Sequence, residues 1–297
     1  MSAAIRTEKL TKYYGKERGV VDLDLEIAEG EVFGYLGPNG AGKTTTIRLF
    51  LDLLRPTTGS IEVLGESPRS VETRRTIGYL PGELALYEHM TVKNLLTYLA
   101  NLRGLRGLGG AGEFAERLEL DMTRKIGDLS SGNKQKVGLV QAFMHRPSLL
   151  ILDEPTGGLD PLMQQEFYRM IREARREGRT VFLSSHTLSE VERIADRVGI
   201  IRDGNLVVVE SLDSLKARAP RRIELHFASP VPPEHFRALE NVENVVVDDG
   251  IVSCRVVGSV DRLIKAAAEF EVTNIISHEA DLEELFLGYF RGDGDAA

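Results

Sequence analysis

The chain has 297 residues, 42% of them hydrophobic, which is room for one large domain or two with a sizeable core. Its net charge of −8 argues against the broad basic footprint used to hold nucleic acid, leaving at most a local basic patch. No run approaches the ~18 uninterrupted apolar residues of a membrane span, and no basic-then-apolar leader opens the chain, so the expected location is cytoplasmic.

In chain order, residues 5–10 and 20–27 read as strands around a turn, TKYYGKERG. Glu31–Leu36, EVFGYL, reads as a buried strand that feeds Gly37–Thr45, GPNGAGKTT, and TTIRLFLDLL behind it has the apolar spacing of a helix over 42–54. Gly37, Gly42, Lys43 and Thr44 fill the fixed positions of the phosphate-binding pattern G-x-x-x-x-G-K-[ST]. Glycines let a backbone wrap a phosphate closely, so Gly37, Pro38, Asn39, Gly40, Ala41 and Gly42 form the cradle, and the N–H groups through Thr45 point at the anion. Lys43 reaches the β- and γ-phosphates and the Thr44 hydroxyl ligates Mg²⁺. A nucleoside triphosphate is the implied ligand. Tyr13 and Tyr14 lie just upstream of the loop, and either could stack on adenine or pack at a strand end, with Tyr14 the better candidate for stacking.

After the turn RPTTGS come strand Ser60–Leu64 and the short strand TIGYL, which stops at Pro81. Residues 83–125 read as helical, with an apolar stripe at Leu95, Leu96, Leu99 and Leu102, a glycine-rich stretch, RGLRGLGGAG, and a helix over 113–120. Ser130 or Ser131 precedes a further helix to about His145, with Val137, Val140, Gln141 and Met144 at helical spacing. These features describe a helical subdomain of about 83–146 inserted into an α/β core.

The segment SLLILDEP describes a strand buried on both faces of a parallel sheet, delivering Asp153 and Glu154 at its carboxyl end, where open α/β sheets bind ligands. Helix 161–177, strand 180–184, helix 188–196 and strands 197–210 complete a mixed sheet with helices on its faces. Leu212–Pro220 reads as a linker that divides an ATPase-like unit, 1–218, from an accessory unit, 219–290. The accessory unit has the strand and helix order β-α-β-β-α-β of a ferredoxin-like fold plus a helix over DLEELFLGYF, and the tail 291–297 reads as disordered. The single cysteine, Cys254, lies there in an alternating strand pattern, IVSCRVV, and is assigned to packing.

Phosphate loop, strand-end acidic pair and the histidine of the next strand end, His186, follow one another across residues 37–186. In P-loop enzymes a strand-end aspartate holds Mg²⁺, which gives that role to Asp153 beside Thr44. Glu154 is placed to orient or deprotonate an attacking water, a contribution of about 10²–10⁴ in rate. His186 is placed to donate a hydrogen bond to the γ-phosphate.

With these motifs in that order, the chain resembles the ATP-binding subunits of ABC transporters over about residues 5–215. The family carries a signature, usually L-S-G-G-Q, and this chain has Leu129, Ser130, Ser131, Gly132 and Asn133 there. The resemblance implies that Ser130, Ser131, Gly132 and Asn133 close over the γ-phosphate held by a second subunit. It also implies that Asp160, in GGLDP, communicates between the two sites of a dimer, and that Tyr14 stacks on adenine. Where the family has a metal-sensing glutamine after a strand like IGYLP, this chain reads Gly82-Glu83. The segment GYLP…LYEHMTV, the signature SSGNKQ and the ending DLEELFLGYF resemble subunits serving exporters of the ABC-2 kind.

The fold class expected is therefore a P-loop ABC-ATPase core plus a small C-terminal α+β ferredoxin-like domain. The function expected is an ATPase that uses ATP and Mg²⁺, pairs with a second copy or a homologous ATPase subunit, and drives a separate transmembrane permease at the inner face of the membrane. Leu84, Leu86, Tyr87 and Met90 are candidates for the permease contact, with core packing as their other reading. No nucleic-acid partner is expected. Two rival readings are a soluble ABC ATPase acting on ribosomes or nucleic acid, which usually has two ATPase domains or basic insertions, and a P-loop small-molecule kinase, which would leave residues 129–133 unexplained.

Overall fold

Alternation of apolar and polar residues makes the start of the chain a long hairpin, β1 (Ala3–Tyr14) and β2 (Glu17–Ala28), which buries Ile5, Leu10, Val20, Leu23, Leu25 and Ile27. This computed structural model describes residues 2–278. The expected turn TKYYGKERG is mostly strand: Tyr13 pairs with Arg18 and Tyr14 with Glu17, and only Gly15 and Lys16 turn the chain. Its polar residues sit on an exposed hairpin end, so their loop-like composition reports solvent and not a break in pairing.

The rest of the first unit follows as β3 (Val32–Leu36), α1 (Lys43–Phe50), β4 (Thr58–Val63), α2 (Val71–Arg75), β5 (Ile77–Leu80), α3 (Val92–Leu102), α4 (Ala111–Arg117) and α5 (Ser131–Phe143). Then come β6 (Leu149–Asp153), α6 (Pro161–Arg176), β7 (Thr180–Ser185), α7 (Leu188–Glu192), β8 (Arg197–Arg202) and β9 (Asn205–Ser211). They form an antiparallel sheet, β2-β1-β4, and a six-stranded sheet, β5-β6-β7-β3-β8-β9, in which β5 to β8 run parallel.

All five residues of β3 and of β6 are buried. Phe182 of β7 sits at the centre of an aromatic cluster, stacked on Phe33 with centroids 6.0 Å apart, tilted on Tyr35 at 5.3 Å and edge-on to Phe50 at 5.4 Å. Each such ring contributes about 1.5–3 kcal/mol by burial, and together they fix β3 and α1 on either side of the loop between them. Tyr35 adds a hydrogen bond to Thr46 Oγ1 at 3.3 Å, and burial raises its phenol pKa.

In the helical segment, α4 packs on α5 through Phe114 and Phe143, whose centroids lie 5.5 Å apart. The stripe expected on α3 is turned: Val92, Leu95, Leu96 and Ala100 are buried, Leu99 is half-buried, and Leu102 is 67% exposed. Val92 and Ala100 are smaller than the leucines, so counting large residues placed the buried face one turn too far along.

The chain divides at Ser211 into two units, the second covering residues 211–297. The segment expected to be a linker is helix α8 (Leu212–Arg218), capped by Ser211, whose side chain accepts from the Ser214 N–H. Then follow β10 (Arg221–Phe227), α9 (Pro233–Arg237), β11 (Val242–Asp248), β12 (Ile251–Val256), α10 (Asp261–Ala267) and β13 (Val272–Ser277). The sheet order is β11-β12-β10-β13 with every neighbouring pair antiparallel, the arrangement of a ferredoxin-like domain. Phe227, Phe236, Val252, Leu263 and Cys254 belong to its core, and burial pushes the Cys254 thiol up to about 11. The expected helix over DLEELFLGYF and the tail 291–297 lie outside the described residues. Among the described residues no helix is long and apolar enough to cross a membrane.

Candidate nucleotide site

The loop from Gly37 to Gly42 leaves β3 and enters α1, and its first and last glycines are required by close approach. A Cβ on Gly37 would stand 2.5 Å from the Ile201 carbonyl oxygen, and Gly42, at φ +113°, would bring one to 2.6 Å from that of Gly19. Pro38, Asn39 and Gly40 are exposed, whereas Ala41 is buried and anchors the loop. Lys43 is only 6% exposed and curls back, donating to the carbonyl oxygens of Gly37 at 2.6 Å and Pro38 at 3.3 Å. The same ammonium pairs with Glu154 Oε1 at 3.2 Å. A phosphate entering the cradle would take over the donors that the loop carbonyls now receive.

Thr44 Oγ1 donates to Asp153 Oδ2 at 2.8 Å, and Ser184 Oγ donates to Asp153 Oδ1 at 2.5 Å. One hydroxyl and one carboxylate therefore converge at the mouth of the loop, with the hydroxyl side open to solution. That all-oxygen donor set suits a hard cation such as Mg²⁺, which takes few protein ligands and keeps the rest for water and phosphate.

Glu154 takes the left-handed backbone conformation at φ +50°, sparsely populated for a residue with a side chain and worth about 1–3 kcal/mol of strain. Its N–H donates to both Ser184 oxygens, at 3.3 Å and 3.1 Å, which holds the strained turn in place. Its carboxylate stands between Lys43 and His186, whose Nδ1 is 2.8 Å from Glu154 Oε2. The expected acid and histidine thus meet across two neighbouring strand ends, β6 and β7.

Tyr14 is 43% exposed, its hydroxyl 3.4 Å from Thr45 Oγ1 and its ring 5.5 Å from the Lys12 ammonium. It stands near the entrance of α1. Ser130 caps α5, accepting from the Asn133 N–H at 3.3 Å, and Ser131 is exposed beside it. Gly132 lies against the loop that follows β6: a Cβ there would meet the Gly158 carbonyl oxygen at 2.4 Å. Among the described residues no hydrogen bond joins 130–133 to 37–45 of the same chain. Asp160 caps α6, accepting from the Leu162 and Met163 N–H groups at 3.1 Å and 3.0 Å, ahead of Pro161.

Gly82 faces the acidic strand end, since a Cβ on it would stand 3.2 Å from Asp153 Oδ2, while Glu83 is exposed. Of the four candidates for a permease contact, Leu84 points at Gly138 of α5, where its methyl carbons block a Cβ at 2.8 Å and 3.0 Å, so it packs internally. Leu86 and Met90 are half-buried, and Tyr87 is 52% exposed, edge-on to Tyr98 with centroids 6.2 Å apart.

Residues that sequence reasoning did not single out complete the site. Gln135, 7% exposed on α5, donates through Nε2 to the carbonyl oxygens of Glu154 at 3.3 Å and Pro155 at 3.0 Å. Ser184 holds Asp153, and the paired serines before His186 were the available signal for it.

A buried strand, a glycine cradle opening a helix, and an acidic pair on the adjoining strand end define a P-loop nucleoside triphosphatase. Residues 20–157 match the ABC transporter family. The bacitracin transport ATP-binding protein BcrA of Bacillus licheniformis is 36% identical, with 98% of this chain and 99% of that protein aligned. The linearmycin resistance ATP-binding protein LnrL of Bacillus subtilis is 31% identical over 95% and 97%. A solved ATP-binding subunit of an ABC transporter superposes with a TM-score of 0.67 at 30% identity, over 72% of this chain and 92% of that one. The chain belongs to the ATP-binding subunits of ABC transporters: it is an ABC ATPase that works on ATP with Mg²⁺.

Proposed function

We propose that two copies of this chain, or one copy and a homologous subunit, close head to tail around two ATP molecules and power a separate permease of the ABC-2 export type. The observation that carries this reading is the separation of the two anion-binding elements. The signature turn at Ser130–Asn133 packs on its own chain's Gly158 and makes no hydrogen bond to its own phosphate loop, so the N–H groups of Ser131 and Gly132, ahead of the one Asn133 gives to Ser130, are left to serve a partner's nucleotide. Relatives named for bacitracin transport and linearmycin resistance support a drug- or antibiotic-like cargo.

In this reading the loop from Gly37 through Thr45 binds the phosphates, with Lys43 turning from its carbonyl partners to the β- and γ-oxygens. Thr44 and Asp153 would hold Mg²⁺, which when bound would neutralise charge on the phosphoryl oxygens. Glu154 accepts a proton from the water whose oxygen bonds to the γ-phosphorus as the bond to ADP breaks. His186, held by Glu154, steadies the γ-phosphate, and Tyr14 stacks on the base. Asp160, already a helix cap, communicates between the two sites of the dimer. The permease holds the complex at the inner face of the membrane, with Tyr87 the exposed member of the proposed contact.

Glu154→Gln tests the proposal. Turnover should fall by about 10²–10⁴, and the variant should sediment as a dimer in saturating Mg-ATP and as a smaller species without it. A variant that stays monomeric with Mg-ATP, alone and with its membrane complex, overturns the head-to-tail reading, and one that turns over at the wild-type rate overturns the role of Glu154.

A further inference from the structure

Three segments meet at one carboxylate outside the nucleotide cradle. Glu190, on α7, accepts from the Thr156 hydroxyl at 2.6 Å with Oε1 and from the Ser185 hydroxyl at 2.7 Å with Oε2. Both donors are buried, Ser185 completely and Thr156 at 5% exposure. These are short, charge-assisted hydrogen bonds, roughly twice as strong as neutral ones. Thr156 lies two residues after Glu154 on the loop leaving β6, and Ser185 lies one residue before His186 on the end of β7. The carboxylate therefore ties together the backbones that present the two groups facing each other across 2.8 Å.

We infer that Glu190 is a positioning residue for ATP hydrolysis, one that fixes the separation of Glu154 and His186 through Thr156 and Ser185. The inference rests on the roles of Glu154 and His186 proposed above. Two observations make the clamp specific. The turn at Glu154 is held against its own backbone preference at φ +50°, so it needs restraint from outside. Gln135 grips the same loop by the carbonyls of Glu154 and Pro155, and Glu190 grips it by the Thr156 hydroxyl. Ser185 Oγ also accepts from the Thr187 N–H at 2.9 Å, so the clamp is locked to the first turn of α7. Tyr168 and Arg193 lie beside it, the Glu190 charge helping burial to raise the Tyr168 phenol.

The test is steady-state phosphate release, with KM for ATP and a melting curve, on Glu190→Ala, Glu190→Gln and Thr156→Val/Ser185→Ala, with Glu154→Gln alongside. Glu190→Ala should lower kcat about 30- to 100-fold with KM within about threefold, because misplacement by a fraction of an ångström acts on the reacting geometry and not on binding. Glu190→Gln, whose carboxamide accepts from one hydroxyl and donates to the other, should recover at least about tenfold of that loss. Adding Glu190→Ala to the double variant should cost no more than about twofold further, since all three substitutions cut one connection. Glu190→Ala within threefold of the wild-type kcat, a glutamine variant as slow as the alanine, or fully multiplicative losses each overturn the clamp. With Glu154→Gln inactive in the same assay, such results leave the catalytic role of Glu154 standing, whereas an active Glu154→Gln removes that role itself. Should Glu190→Ala not fold, Thr156→Val and Ser185→Ala singly carry the test, and unchanged kcat in both overturns the clamp.

Discussion

An alanine at Gly132 separates what the signature turn does for its own chain from what it does for a partner. The ideal Cβ would stand 2.4 Å from the Gly158 carbonyl oxygen and 3.4 Å from its carbon. Real Cβ contacts do not fall below 3.0 Å, so the two backbones must part by about 0.6 Å, the difference between 3.0 and 2.4, and neither atom belongs to a side chain that can rotate aside. Overpacking of this kind costs about 1–3 kcal/mol, offset by about 1 kcal/mol because alanine favours the helix more than glycine does. The remainder is small against a fold stability of about 5–15 kcal/mol, so the variant should fold.

Hydrolysis should suffer far more than stability. The displaced elements are the signature turn and the loop that carries Glu154 and Asp160, and a 1 Å misplacement costs about 10² in rate, so about 0.6 Å predicts a fall in kcat of about 10- to 100-fold. Affinity of the isolated chain for a non-hydrolysable ATP analogue should stay within about twofold, because the phosphate loop and the Gly132 turn share no hydrogen bond in one chain. Phosphate release and analogue titration check the two halves separately. A kcat within about twofold of wild type, or affinity falling in parallel with kcat, refutes the division of labour.

Tyr14→Ala should weaken ATP binding by about two- to tenfold, the worth of one aromatic stacking contact of about 0.5–1.5 kcal/mol, while Tyr14→Phe keeps it; KM for ATP reports both, and an unchanged value for the alanine variant rejects the stacking role. His145 supplies a pH prediction: burial, aided by the nearby Arg103 charge, holds its imidazole down to about 4, with Nε2 3.1 Å from the Ile77 carbonyl oxygen. The unfolded chain binds that proton first as acidity rises, so this contribution to stability is intact above about pH 6.5 and is lost between about pH 6.5 and about pH 4. Urea midpoints at about pH 7.5 and about pH 5 should therefore differ less in His145→Gln than in the wild type, and equal drops refute the assignment.

The nucleotide site was legible because its chemistry is packed into contiguous runs, GPNGAGKTT, LLILDEP and FLSSH, each of which also carries the local pattern of its strand or helix. The supporting contacts were not, because they join residues that have no sequence relation to one another: Gln135 to Glu154, Ser184 to Asp153, Glu190 to Thr156 and Ser185. Helix α8 was legible in part, since Ser211 stands at its N-cap ahead of buried Leu212 and Leu215, but a short polar run after a sheet reads as a linker when caps are not weighed. Leu102 failed differently. It continues the leucine spacing of α3 yet lies 67% exposed, because periodicity shows that a helix has a face and does not say which neighbours reach its last turn.

Position 82 shows how this chain departs from the pattern it otherwise follows. A side chain there would start 3.2 Å from Asp153 Oδ2, so a residue with hydrogen-bonding atoms would touch that carboxylate directly. Glycine withdraws that contact, and Glu83 is exposed, leaving Asp153 to Thr44 and Ser184. What the segment after Gly82 does reach is α5, through Leu84 against Gly138, and α5 reaches the loop after β6 through Gln135, less than one turn away. Residues 135 and 138 ride on one 13-residue helix, so packing and one hydrogen bond join Leu84 to the carbonyl of Glu154 without any side chain at position 82. In this chain the physical continuity between Leu84 and the loop after β6 runs through the packing of a helix, where the family pattern has a single polar side chain at position 82.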